Sequence, residues 1–277
     1  MKQTPESVPL VLGGHSFISQ LGSDPAADPE AQTRIVQACL DAGIRWFDTT
    51  YQPERVALGR ALHELGRRDE ATIIAWNFFT DFGPGDDVGG PQAYRPDHMD
   101  LMLEQLRTDR IDRLVVHGVS DPRDNARQRA LAVAWREAGL VGRLGAWHPG
   151  ERAAEEYGRE NPYSFMVRPY NVTTPDAAPA FAACKALGWE TLACSPFVRG
   201  WELDKAVSEA AASASEAGAA VRAETADLML RYSLFAPNVD RLIVAMRRPE
   251  WVALNVASWR RGPLSLAERE RLDGLRS

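Results

Sequence analysis

The 277-residue chain, 45% hydrophobic and 25% charged, has the size of one α/β barrel and enough apolar residues for a sizeable core. Its formal net charge of -6, with basic residues scattered along the chain, speaks against nucleic acid or an anionic membrane surface as a partner. It shows no bilayer-length apolar run and no secretory-type start, and Cys39, Cys184 and Cys194 are too widely spaced for a disulfide framework or a zinc pattern, so the expectation is a reduced, cytoplasmic protein.

A short apolar run over 8–12 reads as a strand ending at Gly13-Gly14. The spacing of Ile35, Val36, Cys39 and Leu40 predicts a helix over 28–42, with Gly43 just past its end. A strand over 44–47, a helix over 56–65 and a strand over 71–76 follow. The Gly-, Asp- and Pro-rich stretch 81–94 is a loop. Next come a helix over 96–107, a strand over 113–116, a helix over 131–138 and a strand over 142–146. The second half repeats the rhythm: strand 165–168, helix 175–187, strand 190–194, an Ala-, Ser- and Glu-rich connector 207–220, helix 225–232 and strand 241–244. Eight strands alternating with helices favour a parallel sheet closed as a (β/α)8 TIM barrel, with residues 1–277 as one domain. A doubly wound open sheet is the runner-up, but Gly13-Gly14-His15-Ser16 lacks the spacing of its Gly-rich fingerprint.

Several segments are similar, in order and spacing, to the aldo-keto reductases. Asp41-Ala42-Gly43 and Phe47-Asp48-Thr49 resemble that family's second helix and strand, and 54–62 its following helix. Ile111-Asp112 with His117 resembles its fourth strand, and Gly142-Arg143-Leu144-Gly145 its fifth. Cys194-Ser195-Pro196 resembles its seventh strand end, and 243–255 its closing phosphate segment. The resemblance implies a barrel that reduces carbonyls with NADPH, using an Asp, Tyr, Lys, His tetrad at the strand ends. In that tetrad an ammonium paired to the Asp lowers the phenol pKa, and the phenol donates a proton while a hydride arrives from nicotinamide. Asp48 and His117 match tetrad positions. The lysine position holds Asn77, an uncharged amide, and Tyr51 is the candidate phenol, in a loop several residues shorter. At the nicotinamide end the amide-binding pair becomes Trp147-His148, the glutamine Val167 and the stacking aromatic Cys194. At the other end Ser195, Arg199, Arg247 and Asn255 match the positions that hold pyrophosphate, 2'-phosphate and adenine, while Val244 and Ala245 replace Pro and Gly. The NADP(H) site is thus either inherited without use or occupied in an altered pose, and the first reading is preferred.

His15, His117 and His148 fall at the ends of the first, fourth and fifth strands, and Asp48 and Asn77 at the ends of the second and third. That face is where barrel enzymes place their chemistry. A carboxylate, a phenol and imidazoles around one small pocket suit general acid–base work. We assign catalysis to Asp48, Tyr51, Asn77 and His117. Substrate contact goes to His15, Trp76, Trp147 and His148, the tryptophans supplying a ring-stacking wall. The expected activity is non-redox acid–base chemistry beside a carbonyl (dehydration, elimination or isomerisation) on a small hydroxylated or aromatic substrate. The alternatives are NADPH-dependent carbonyl reduction with a rebuilt tetrad and a non-catalytic ligand-binding barrel. No metal is implied, and no heptad or large apolar helix face specifies an oligomer.

Overall fold

The computed structural model describes residues 8–19, 27–80, 89–158, 161–198 and 216–274. Its strands are β1 (Leu10–Leu12), β2 (Trp46–Thr49), β3 (Thr72–Trp76), β4 (Ile111–Val116), β5 (Val141–Trp147), β6 (Tyr163–Pro169), β7 (Glu190–Cys194) and β8 (Arg241–Val244). They pair in chain order as a closed barrel, and β8 meets β1 in parallel through Leu10↔Leu242, Val11↔Ile243 and Leu12↔Val244. The expected (β/α)8 barrel is the fold. Around it lie α1 (Pro29–Asp41), α2 (Gln52–Leu65), α3 (Asp97–Leu106), α4 (Pro122–Glu137), α5 (Ala153–Tyr157), α6 (Ala178–Ala186), α7 (Glu216–Leu234), α8 (Pro249–Arg260) and α9 (Leu266–Gly274). Arg199 and the stretches 81–88 and 207–215, parts of the two loops singled out above, lie outside the described residues.

Local chemistry sets the helix boundaries. Asp28 caps α1, accepting from Ala31 N at 2.7 Å, and Pro29 fills the first turn, where its missing N–H costs nothing. The buried stripe Ile35, Val36, Cys39 and Leu40 is the one the spacing predicts. Gly66 ends α2 with a φ of 63°. The helix predicted over 131–138 begins instead at Pro122, capped by Asp121. Its first two turns are almost entirely polar, so apolar periodicity has nothing to report there, whereas the Asp-Pro cap does. The connector predicted to run to 220 gives way to helix at Glu216 for a related reason: its Ala and Glu are good helix formers without an apolar stripe. Three helices, α5, α8 and α9, escaped the periodicity reading.

The barrel interior is filled by Val11, Trp46, Ile74, Trp76, Val115, Phe165, Val167, Leu192 and Ile243. A second apolar layer seals the strands against the helices. Gly145 makes the interior possible, since a Cβ there would overlap the Phe165 ring. Among the described residues, no helix is long and apolar enough to cross a membrane.

Candidate active site

At the end of β1 the chain makes a 3-10 turn over Gly14–Ser16. Ser16 Oγ donates to Gly13 O (2.7 Å) and accepts from Met246 N (2.8 Å), which ties the β1 end to the β8 end and holds His15 at the rim. His15 Nδ1 lies 2.9 Å from Glu54 Oε1. Glu54, in the first turn of α2, is fully buried, and its other oxygen accepts from Thr50 N (2.6 Å) and Tyr51 N (3.2 Å). The first oxygen has no hydrogen bond of good geometry; it faces His15 at an oblique angle as an ion-pair partner. Gly14 permits this approach, because a Cβ there would overlap the Glu54 carboxylate.

Asp48, on β2, is 6% exposed and accepts from Trp76 Nε1 at 2.6 Å. Burial pushes its pKa up to about 7, and the Glu54 charge pushes the same way against the opposing Trp76 bond and His15. Burial alone would lower the His15 pKa, but Glu54 and then Asp48 raise it above the ordinary histidine value, against a weaker opposing charge on Arg247. Asp48 and His15 are therefore electrostatically coupled, each charge favouring the ionised form of the other.

The rings around this triad form a circuit. Tyr51, buried at the start of α2, stands 5.6 Å from the His15 ring and 5.3 Å from Phe78. Phe78 meets His117 edge-on at 5.6 Å, and His117 stacks on Trp147 at 5.7 Å. Trp147 meets Trp76 at 5.2 Å, and Trp76 returns to Asp48. His117 Nδ1 lies 2.8 Å from Gly118 O; a carbonyl can only accept, so that nitrogen carries the hydrogen and Nε2 is the acceptor. Burial holds the His117 pKa below its usual value.

Not every expected residue joins the circuit. Asn77 is fully buried and engaged by backbone: Nδ2 donates to Gln92 O and His117 O (both 2.9 Å), and Oδ1 accepts from His117 N (2.9 Å). It braces the β4 end that carries His117. His148 is exposed, with a φ of 55°, and its Nδ1 lies 3.4 Å from Arg168. Burial, then the Arg168 charge, hold its pKa low. Ser195, at a φ of 59°, keeps its carbonyl gripped by Asn171 Nδ2 (2.9 Å). Arg247 Nε donates to His15 O at 3.2 Å. Asn255 is half-buried on α8.

Sequence reading missed three residues. Glu54 stands three positions after Tyr51, the spacing of a helix-capping carboxylate, and that signal could have found it. Asn171 carried none. Arg55, fully buried, donates to Gln105 Oε1 (2.7 Å), Thr50 O (3.1 Å) and Phe78 O (3.0 Å), and nothing in the local pattern distinguished it from a surface arginine.

A model of the Aldo/keto reductase family matches residues 9–277. This chain belongs to the aldo/keto reductase family. Aldo-keto reductases are enzymes, generally oxidoreductases. Among solved structures the chain is similar to aldo-keto reductase AKR11C1 from Bacillus halodurans in its holo form, with a TM-score of 0.70, 20% identity, and coverage of 96% of this chain and 91% of that one. It is also similar to a Pseudomonas aeruginosa protein named for the same family, with a TM-score of 0.66, 20% identity, and coverage of 91% and 89%. At this identity the likeness shows the fold. No curated protein matches.

This aldo-keto reductase departs from the family's electrostatics. Among the described residues, no lysine or arginine lies within ion-pair distance of Asp48, and the cation that acts on it is His15. The NADP(H) implied by the family meets a divided site. Arg247 brings positive charge to the rim beside His15, which suits a phosphate-bearing ligand. At the ring end Trp147, packed against the barrel interior, offers stacking surface in place of amide contacts. Among the described residues, no group of three or more His, Cys, Asp or Glu is placed to hold a metal.

Proposed function

We propose that this protein is an NADPH-dependent carbonyl reductase whose proton comes from a His15–Glu54 pair instead of a lysine-assisted phenol. The observation that carries this reading is the 2.9 Å approach of His15 Nδ1 to the buried Glu54 carboxylate, beside Asp48 and Tyr51. Arg247, Ser195 and Asn255, with Arg199, would hold the phosphates and adenosine, and Trp147 would face the nicotinamide. The bound cofactor supplies a hydride to the carbonyl carbon.

The chain's own groups do the rest. Glu54 keeps His15 protonated, and the nitrogen turned away from Glu54, Nε2, donates a proton to the carbonyl oxygen, giving the alcohol. His15 is partly exposed, so solvent can reprotonate it. Asp48, titrating near neutrality, is a second proton store one neighbour away. Tyr51 packs against the imidazole and limits its swing. His117, kept neutral by burial, presents Nε2 to a hydroxyl next to the carbonyl. The ring circuit favours a planar or aromatic substrate.

The test is NADPH oxidation across a panel of aromatic and α-hydroxy carbonyls, with H15N as the variant. We expect H15N to lower kcat by about 10²-fold or more, the usual worth of a positioned general acid. An unchanged kcat in H15N, or no affinity for NADPH at millimolar concentration, would refute the proposal.

A second reading, elimination or isomerisation beside a carbonyl, rests on Trp147, which occupies the amide-binding position and packs on both Trp76 and His117. Turnover of a hydroxy-carbonyl substrate without any nucleotide would select it.

A further inference from the structure

The opposite end of the barrel carries an unbalanced cluster of charge. Arg113 on β4, Arg143 on β5 and Arg241 on β8 converge on one carboxylate, Glu190 on β7. Arg113 Nη2 lies 2.9 Å from Glu190 Oε2, Arg241 Nε 3.0 Å from Oε1, and Arg143 Nη1 3.9 Å from Oε2. Arg113 and Arg143 are direct cross-strand partners, a like-charge pairing that costs stability unless something compensates it. Arg113 and Arg241 both lie over the Trp46 ring, at 3.9 and 4.1 Å from its centroid. The neighbouring acids are already occupied: Asp112 pairs with Arg68 and Arg110, and Asp240 with Lys185.

Three guanidinium nitrogens here, Arg113 Nε, Arg113 Nη1 and Arg241 Nη1, are buried without a hydrogen-bond partner. Arg113 as a whole is only 9% exposed. Unpaired donors on charged groups are costly inside a protein, and three cations against one anion leave the cluster short of negative charge. Arg143, whose side chain is 57% exposed, opens it to solvent. Burial, with the charges of Arg143 and Arg241, depresses the Arg113 pKa to about 10 in spite of Glu190, as expected of a cation with too little counter-charge.

From these observations we infer that the N-terminal floor of the barrel binds a small oxyanion, inorganic phosphate or a carboxylate, between Arg113, Arg143 and Arg241. The site is separate from the catalytic mouth, and a ligand there stabilises the fold by binding the native state alone.

The experiment is calorimetric titration and thermal unfolding of the full chain with inorganic phosphate, ionic strength held constant with chloride. We expect a saturable site that persists in R247Q, and a rise in Tm that chloride does not reproduce. R143Q should weaken binding about tenfold through loss of one partly exposed cation. R247Q, at the mouth, should leave it unchanged. R241Q should weaken it further; if R241Q does not fold, R143Q decides alone, since Arg143 contributes little to the packed core. No saturable effect of phosphate would overturn the inference. So would an effect lost in R247Q and kept in R143Q, which would move the anion to the mouth. Neither result depends on whether the protein reduces carbonyls.

Discussion

Asp48 is a buried carboxylate, and its titration should be visible. Its pKa of about 7 lies above the unfolded value of 3.8, so the folded state binds the proton more tightly. The penalty is absent below pH 3.8, grows as pH rises and is complete above about 7. A shift of about three units corresponds to ~4 kcal/mol at most. D48N should therefore be more stable than the parent at pH 8, by ~2–4 kcal/mol, with the difference vanishing near pH 4; urea unfolding at the two pH values measures this. His15 works in the same direction. Its raised pKa adds stability that is present below the unfolded value and lost as pH climbs through the folded one. In catalysis the same shift places the alkaline limb: reductase activity should fall as His15 deprotonates. E54Q removes the main raising influence, so its kcat/KM profile should lose activity at lower pH than the parent. W76F deletes the bond that holds the Asp48 carboxylate charged, and its Asp48 pKa, followed by NMR, should rise beyond about 7.

At the scale of elements, the start of α2 and the end of β3 are bound together by Arg55. Its guanidinium satisfies carbonyls of Thr50 and Phe78, and burial lowers its pKa to about 10 despite the partial support of Tyr94 and Glu54. R55A would strip those part-buried carbonyls of their charged donor and leave a void where the fully buried Arg55 packs, and we expect a loss of about 3–5 kcal/mol in denaturant unfolding. R55K should not recover it, since an ammonium cannot span the same fork of acceptors. Asn77 illustrates the same dependence. Returning a lysine there, as N77K, should lower Tm and fail to restore family chemistry, because the amide clamps both backbone groups of His117. Element positions were largely legible beforehand, since a strand's apolar run and a helix's stripe are written over consecutive residues. The early part of α4 was not, because a polar face leaves no periodicity to detect.

For the whole molecule, closure of the sheet decides what meets what. Gly145 and Phe165 face each other inside the barrel, so G145A should destabilise by ~1–3 kcal/mol through overpacking, and F165L added to it should recover part of the loss. Thermal unfolding of the single and double variants checks this. The barrel, its order of elements and the rim positions of His15, Asp48, His117 and Trp147 could all be written down from the chain alone, because alternation and strand ends are local properties. Which of these groups carries positive charge could not. His15 reaches Glu54, Asp48 reaches Trp76, and Asn77 turns to the backbone of His117 only once the strands stand side by side. Those contacts join residues far apart in sequence, and the protonation they impose depends on burial and neighbouring charge, which exist only in the assembled barrel.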